Sequence, residues 1–388
     1  MADSLTSHFT IDGSSIVSDS ASLSPFIPNS GNIFPKFVDS LNETAWELWH
    51  FDAVSEKDRA AVVTSITRNG QDRKHGGFKV QVLAIWPDET TWHRDFYFPE
   101  SDVTSLKGGD VVGVWKDVSN NSSITFQVSS TLSRAELTFH VVGVVEGRMT
   151  LTTQPGDTGL NTSPELGPSV KYVRPIGRAS VVAEMSLYDS DSPMPRRFQL
   201  GLVDNIARGG MDRVWSLLAW PQIMTESYYL RAMAGPYDME IMRIFSDIEK
   251  SPSKAYTVAR LYKSSNLICA PQMVIHSWDE DTPEDSLILN KLYGNSNDVG
   301  RMGAFRDNCH GYSVEFIQRG DKGQRWQFHV IHDRILWNIP TSAPGPNATG
   351  NTGFVESVVG GVNLRREGVE REHETFEGVG TGGQCELS

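Results

Sequence analysis

Residues 77–86 have the sequence GFKVQVLAIW, in which polar and apolar side chains alternate. Successive side chains of a β-strand point to opposite faces, so this run predicts a strand. Lys79 and Gln81 would lie on one face, and Val80 and Val82 on the other. The run is therefore typical of a strand that buries one face and offers polar groups on its second face.

Similar β-rich runs recur along the whole chain and are divided by Gly, Pro, Asn and Asp. They lie at 45–52, 123–130, 137–145, 178–188, 227–235, 256–262, 312–318, 325–339 and 353–364. Short strands at this spacing predict an all-β protein built from sandwiches or barrels. The best helical candidate is 285–293, DSLILNKLY, with Asp285 as its N-cap.

The chain is long enough for two β-domains, because it has 388 residues and domains usually contain ~100–200. The Ser-rich residues 1–22 are expected to be mobile. The boundary is predicted near residue 205, in a stretch poor in packing residues. We therefore expect one domain at 23–205 and a second at 206–388, the second ending in a short polar tail.

The charge and the cysteine content exclude several classes of protein. A net charge of −13 disfavours binding to a nucleic acid or to an anionic membrane. The three cysteines are far apart and form no CxxC pair, which disfavours zinc ribbons and disulfide frameworks. The start of the chain lacks the pattern of a signal peptide, and no apolar run is long enough to span a bilayer. We expect a cytoplasmic protein.

Motifs of ordinary enzyme chemistry are missing or weak in this sequence. It contains no GxSxG, HExxH or GxxxxGK[ST] pattern. The GxGxxG at 378–383 lies too near the last residue for a dinucleotide-binding helix to follow, so a flexible tail is predicted. The final four residues, from Cys385, fit a prenylation box by position only, because Glu386 is not aliphatic.

The positions of the histidines and cysteines indicate neither a metal site nor a catalytic nucleophile. His329 and His332 are three residues apart on one predicted strand, so they point to opposite faces and cannot share a metal. His93 and Asp95 share a face, which is compatible with an acid–base pair, and we expect a hydrogen-bonded pair near a strand end. Cys309 next to a histidine is interpreted as a structural cysteine, because adjacent strand residues diverge. The acidic run at 279–286 lacks the features of a calcium loop and is interpreted as solvated.

Polar groups set among aromatic residues are the one feature above background. In residues 45–52, alternation places Glu47, Trp49 and Phe51 on one face of the strand. Further aromatic residues surround the stretch that contains Trp220. For any single residue, a polar group that faces water beside an aromatic ring that fills a core is an equally good interpretation. Several strands that combine Trp or Tyr with a polar partner indicate a cavity for an apolar small molecule.

Eight segments extend this interpretation, because they resemble the fungal lipocalin-type Diels–Alderases. They are SGNIFPKF (30–37), TAWELW (44–49), HGGFKVQV (75–82), GPSVKYVRPIGRASV (167–181), GGMDRVW (209–215), WPQIMTESYYLR (220–231), GQRWQFHV (323–330) and GPNATGNTGFVE (345–356). The resemblance runs over nearly the whole chain. Members of that family form the decalin ring of tetramates such as equisetin and phomasetin.

The resemblance implies a fold, a reaction and a substrate. The fold would be an N-terminal β-sandwich and a C-terminal lipocalin-like β-barrel, with the substrate pocket between the two domains. The reaction would be a stereoselective intramolecular [4+2] cycloaddition of a linear polyenoyl tetramic acid. It needs no cofactor or metal, which agrees with the missing motifs. The enzyme would act alongside a polyketide synthase–peptide synthetase.

Residue roles follow from the resemblance as hypotheses. The implied catalytic residues are Glu47, Lys79, Trp220 and Asn351. The implied substrate-binding residues are Trp49, Asp52, Thr64, Gln81, Tyr229 and Trp337. Asn351 stands where some relatives are expected to carry a Lys that binds the tetramate, so a neutral amide replaces a charged donor; Lys79 is the alternative donor.

Three other functions are compatible with the same sequence pattern. A lipocalin-like carrier would bind the polyketide without transforming it. A hydratase resembling carotenoid hydratases would need an acidic proton donor, for which Glu47 and Asp52 are candidates. A carbohydrate-binding sandwich would use exposed Trp residues, although the chain shows no secretion signal.

Overall fold

The computed structural model describes most of the chain, and the all-β prediction is confirmed. The described residues are 4–157, 163–164, 166–167, 169–189, 194–246, 248, 254–271, 273–275, 284–294, 305–307, 309–319, 324–362 and 374–387. The acidic run at 279–286 lies mostly outside them. The chain divides into two compact units, Met1–Ala219 and Trp220–Ser388. Among the described residues, no helix has the length and apolar character needed to cross a bilayer.

In the part of the chain that the structure describes, the first unit contains strands, their connections and one short 3-10 helix at Gly70–His75. Its strands are β1 Leu5–Thr10, β2 Trp46–Ser55, β3 Ala61–Asn69, β4 Phe78–Ile85, β5 Thr91–Phe98, β6 Glu100–Ser105, β7 Val111–Asp117, β8 Ser122–Val128, β9 Arg134–Val141, β10 Val145–Thr153, β11 Val170–Leu187, β12 Arg196–Leu200 and β13 Ala207–Ser216.

These strands form one sheet in the order β1-β6-β7-β8-β9-β10-β11-β13-β2-β3-β4-β5, with β12 paired to β11. The sheet folds back on itself, because residues from its two halves share one apolar core. The Trp49 ring of β2 packs 5.3 Å from the Trp115 ring of β7 and 5.6 Å from the Phe126 ring of β8. Two layers of one antiparallel sheet around a shared core form the predicted β-sandwich.

The observed division between the units lies after Ala219, later than the split predicted near residue 205. Strand β13 explains the difference, since it pairs with β11 on one side and with β2 on the other. A boundary at 205 would remove the strand that joins the two parts of the first sheet. The turn-rich stretch before β13 connects β12 to β13 within the first sheet, since both strands run antiparallel to β11, and it is not a linker between the units.

The prediction that residues 1–22 are mobile is wrong for the described residues from 4 onward. Leu5–Thr10 forms β1, which pairs antiparallel with β6. Phe9 is fully buried, and Ile11 and Ile16 also belong to the core. The Ser-rich composition suggested disorder, but apolar residues placed between the serines supply enough burial to fix this segment.

The second unit has a single turn of helix, α1 Trp220–Ile223, followed by strands. They are β14 Glu226–Ala234, β15 Tyr237–Ser246, β16 Lys254–Lys263, β17 Asn266–Cys269, β18 Met273–Val274, β19 Ser286–Leu292, β20 Gly311–Ile317, β21 Arg325–Pro340, β22 Gly350–Val362 and β23 Phe376–Glu386. Their order is β17-β16-β15-β14-β23-β22-β21-β20-β19-β18. Residues from β16 and from β19 and β20 share one core, so the sheet curls into a barrel-like form.

Two local predictions in the second unit are wrong. Residues 285–293 do not form a helix: Ser286–Leu292 is β19, which pairs antiparallel with β20 and buries Leu287 and Leu289. The end of the chain is not a flexible tail, because β23 pairs with both β14 and β22. The glycines of GxGxxG allow this close pairing, since a Cβ on Gly378 would lie 1.7 Å from the Met233 carbonyl oxygen.

Candidate functional site

The six residues predicted in the first unit lie on opposite faces of its sheet. On the face toward the core are Glu47, Trp49 and Thr64. On the other face are Asp52, Lys79 and Gln81. The sequence alternation is therefore confirmed, but one small molecule on one face of this sheet cannot contact both sets.

Glu47 is the centre of a buried ion-pair network. Its Oε2 accepts a 2.7 Å bond from Arg213 Nη2 and a 2.9 Å bond from the Lys36 amide. Its Oε1 lies 3.9 Å from Arg68 Nη1. The Arg213 guanidinium in turn stacks 3.8 Å from the centre of the Trp49 ring. The Glu47 carboxylate thus pairs with buried arginine side chains, one of which stacks on Trp49. These contacts give Glu47 a structural role in the core.

Lys79 and Gln81 belong to a half-exposed cluster around Asp95. The Gln81 amide donates a 2.8 Å bond to Asp95 Oδ1, and Lys79 Nζ lies 3.9 Å from Oδ2. The predicted pair is confirmed, because His93 Nε2 lies 3.0 Å from Asp95 Oδ1. Burial raises the pKa of Asp95, but the hydrogen bond from His93 and the charge of Lys79 outweigh it, so the net pKa is lowered. Both predicted polar residues are thus already engaged by this carboxylate.

In the second unit, two predicted aromatic residues lie on one row across four strands. Tyr229 of β14 is opposite Gly383 of β23, Gly383 is opposite Gly353 of β22, and Gly353 is opposite Trp337 of β21. Both rings extend over the glycines. We call these four residues the aromatic floor. The row lies on the outer face of the barrel-like sheet, opposite the core that contains Tyr228.

Asn351 adjoins the aromatic floor through a hydrogen bond. Trp337 Nε1 donates to Asn351 Oδ1 over 2.7 Å. An indole N–H is only a donor, so this bond fixes the amide orientation and leaves Asn351 Nδ2 as the group that can donate elsewhere. The structure thus combines rigid rings with one neutral donor, a combination that suits an apolar ligand carrying a carbonyl.

Trp220 is the first residue of α1 and is half-buried, directly before the strand that carries Tyr229. Met224 closes this single turn with a 3.1 Å backbone bond to the Trp220 carbonyl. Trp220 thus precedes Tyr229 of the aromatic floor by nine residues in the sequence. Its catalytic role stays a prediction.

The interior of the second unit contains a polar cluster that sequence reasoning missed. His332 Nδ1 lies 2.9 Å from Glu356 Oε2, and Cys309 Sγ lies 3.8 Å from His332 Nε2. The Cys309 thiol donates to Gln384 Oε1 over 3.2 Å. His332 is buried whereas His329 is exposed, which confirms that the two histidines point to opposite faces. Polar residues at inward positions of neighbouring strands, His332, Glu356 and Gln384, were the available signal.

The buried polar groups of this cluster form hydrogen bonds with one another, as is usual in a protein core. Burial, and then the charge of Asp307, raise the pKa of Cys309 to about 12, so its thiol is neutral at ordinary pH. The His332 ring stacks on Phe354 at 3.7 Å with an interplanar angle of 6°. These contacts support the interpretation of Cys309 as a structural cysteine.

Three groups of acidic and histidine side chains in the described residues have ligand atoms within 4.8 Å of one another. They are His8 with Glu100 and Asp102, His50 with Asp52 and Asp212, and Glu226 with Asp307 and Glu386. In the third group, Lys291 Nζ lies 2.8 Å from Glu226 Oε1 and also bonds Asp307. An ammonium group thus balances these carboxylates, and the expectation that no metal is used stays a prediction.

The fold and the aromatic floor define a two-unit, all-β protein in which a buried Trp337, 9% exposed, and a half-buried Tyr229 lie on one row of the second sheet. A crystal structure of CghA with Sch210972 has this architecture, with a TM-score of 0.87, 32% identity and 99% of each chain covered. A kievitone hydratase from Nectria haematococca matches with a TM-score of 0.51 and 9% identity, over 95% of this chain and 98% of the hydratase. The second likeness shows the fold alone.

Sequence comparison identifies the family. The profile of the family described as Diels-Alderase-like matches residues 4–388. Diels-Alderase fsa2 of Fusarium sp. (strain FN080326) is 53% identical over 390 residues, which is 100% of both chains. Diels-Alderase phm7 of Pyrenochaetopsis sp is 33% identical over 98% of each chain. The chain belongs to the Diels-Alderase-like family and is an enzyme of that family, as the sequence segments predicted.

Proposed function

We propose that this chain catalyses the stereoselective intramolecular [4+2] cycloaddition of a linear polyenoyl tetramic acid and so forms a decalin ring. One observation carries the proposal: a relative named Diels-Alderase is 53% identical over 100% of both chains. Identity of this extent, without a large gap in either unit, supports the same class of reaction.

The aromatic floor and Asn351 are the proposed substrate-binding residues. A cycloaddition needs no nucleophile or proton donor, so the main task is to hold a flexible chain in one near-attack fold. Such pre-organisation contributes up to about 7–11 kcal/mol in favourable intramolecular cases, and less where the reactants are already tethered. The flat rings of Trp337 and Tyr229 supply contact area for a polyene at small entropy cost.

Asn351 is the proposed donor to the carbonyl conjugated to the dienophile. Its Oδ1 is held by Trp337, so Nδ2 is directed by the same ring that forms the floor. A neutral hydrogen bond contributes about 0.5–1.5 kcal/mol, which is less than the contribution expected from holding the substrate in its reactive conformation. Lys79 is a weaker candidate because Asp95 already lies 3.9 Å from its ammonium group.

A cofactor-free assay tests this function. Purified protein is mixed with a linear polyenoyl tetramate, and the products are followed by chiral chromatography with mass detection. We expect a product of unchanged mass, formed faster than in buffer and enriched in one diastereomer. Binding without acceleration would support a carrier, and a product heavier by one water would indicate a hydratase.

Replacing the predicted aromatic residues tests the binding surface in the same assay. We expect Trp337→Ala and Trp220→Ala to lower turnover on the order of tenfold, which corresponds to about 1.4 kcal/mol, or to change the diastereomer ratio. Trp337→Phe is the matched control that keeps a ring but loses the bond to Asn351. Unchanged rate and ratio in both Ala variants would contradict the proposed surface.

The proposal retains two predictions about the cellular setting. The substrate would come from a polyketide synthase–peptide synthetase, because a polyenoyl tetramate combines a polyketide with an amino acid. The enzyme would work in the cytoplasm. Co-purification with the synthetase and cell fractionation test these points.

A further inference from the structure

We infer that Gly353 and Gly383 are positioning residues for the cyclisation, because they allow the rings of Trp337 and Tyr229 to lie directly on the sheet. By doing so they set the height of the surface on which the polyene folds, and therefore which product isomer forms. This inference rests on the proposed function and adds two residues that carry no functional group.

The space above both glycines is filled by aromatic atoms. A Cβ on Gly353 would lie 2.2 Å from Cε3 and Cζ3 of the Trp337 indole. A Cβ on Gly383 would lie 2.6 Å from Cε1 of Tyr229 and 3.5 Å from Cζ2 of Trp337. Atoms of both rings therefore lie within 4 Å of the Cβ position at Gly383.

Backbone conformation does not explain these glycines. Neither Gly353 nor Gly383 is among the glycines with positive φ. Both lie inside strands, where Gly is about 0.5–1 kcal/mol less favourable than Ala. Glycine within a strand often marks a bulge or the close approach of another group. A register shift in β21 lies opposite Gly353, between Ile335 and Trp337, and at both glycines the approaching group is a ring.

An added methyl group would move the ring and the donor together. At position 353 the indole would have to rise by about 1.2 Å to regain an ordinary contact, the difference between 3.4 and 2.2 Å. The same movement would strain the 2.7 Å bond from Trp337 Nε1 to Asn351. A misplacement of about 1 Å costs up to about 100-fold in rate for a reaction that depends on geometry.

The test compares Gly353→Ala and Gly383→Ala with Gly345→Ala, because a Cβ on Gly345 would meet nothing within 4 Å. The chiral assay gives kcat, KM and the diastereomer ratio for each protein, and thermal unfolding shows that each is folded. We expect a drop in kcat of at least about tenfold and an altered ratio for the first two variants. Gly345→Ala should behave as the wild type.

A second-site change separates positioning from a general loss of structure. Adding Trp337→Ala to Gly353→Ala removes the crowding indole atoms Cε3, Cζ3 and Cδ2, so we expect the ratio to equal that of Trp337→Ala alone. If Gly353→Ala does not fold, the kcat and the diastereomer ratio of Gly383→Ala test the inference instead. Folded variants with wild-type kcat and ratio would overturn the inference.

Failure of the proposed function would be recognised separately. A wild-type protein that binds the tetramate without cyclising it would refute the cycloaddition. The role of the two glycines would then be tested by measuring tetramate affinity. The inference then requires Gly353→Ala, but not Gly345→Ala, to weaken the affinity for that tetramate. Equal affinities would overturn it.

Discussion

Asn351 has one hydrogen-bonding group committed to Trp337 and one available for a ligand. Asn351→Asp keeps the oxygen that accepts from the indole but loses the N–H donors. We expect kcat to fall by about twofold to twelvefold, the effect of a lost hydrogen bond of about 0.5–1.5 kcal/mol. Asn351→Gln is the control that retains a donor. Measured kcat for Asn351→Asp equal to the wild type would exclude the donor role.

Lys36 gives the stability of the first unit a pH dependence. Its side chain is 3% exposed and donates to the Pro25 carbonyl over 2.9 Å. Burial, and then the charge of Arg213, lower the pKa of Lys36 from 10.5 to about 8, although Glu47 opposes the shift. The folded protein therefore holds this proton less tightly than the unfolded chain does.

The sign of this effect follows from proton linkage. Between pH about 8 and about 10.5 the unfolded chain binds more protons at Lys36, so the contribution of Lys36 to the free energy of unfolding rises with pH. We expect the wild type to gain stability relative to Lys36→Met between pH 7 and pH 10, in denaturant titrations. A difference between the two proteins that does not change with pH would contradict this assignment.

At the scale of single elements, β1 is predicted to stabilise the first unit although it lies at the sheet edge. Arg68 Nη1 donates to Ser7 Oγ over 2.8 Å, Nη2 donates to the Ser7 carbonyl over 2.9 Å, and the guanidinium lies 4.3 Å from the Phe9 ring centre. Deleting residues 1–12 leaves this buried cation with half of its acceptors. We expect a loss of about 3 kcal/mol or more in the free energy of unfolding.

Denaturant unfolding followed by Trp fluorescence checks this prediction. Leu5→Ser is the control, because Leu5 is 54% exposed and its replacement removes no acceptor from Arg68. A truncated protein as stable as the control would show that β1 adds little.

Secondary structure could be predicted where polar and apolar residues alternate along a strand. The prediction was wrong where pairing with another strand determines the structure. Alternation over 77–86 placed Lys79 and Gln81 on one face, as observed, because the pleat is a local property. DSLILNKLY carries good helix formers, yet pairing with β20 makes Ser286–Leu292 a strand. Tertiary pairing overrides a weak helical preference in so short a segment.

At the scale of the whole molecule, each unit contains its own sheet and its own core. We therefore expect fragments 1–219 and 220–388 to fold separately, as shown by cooperative thermal unfolding in circular dichroism. Fragment 1–205 is the informative comparison, because it lacks β13 between β11 and β2. Equally cooperative unfolding of 1–205 and 1–219 would contradict the observed boundary.

The candidate site was only partly predictable. Tyr229, Trp337 and Asn351 were predicted from the resemblance, and their role stays a prediction. The structure places Tyr229 and Trp337 on one row across four strands and joins Trp337 to Asn351 by a hydrogen bond. Glu47 was also found, but as a polar residue near aromatic ones it could not be distinguished from a core ion pair. Its partner Arg213 is far away in sequence, and only strand pairing brings the two side chains to 2.7 Å.

The all-β class, the family and the faces of individual strands follow from the amino-acid sequence, because alternation is local and long matching segments are specific. Tertiary structure alone decided which strands pair, and with them the row from Tyr229 to Trp337 and the pair of His332 and Glu356. Those contacts depend on sheet register. Register is fixed by the packing of the whole sheet, so a one-residue slip, which no single strand forbids, would turn every one of these side chains to the opposite face.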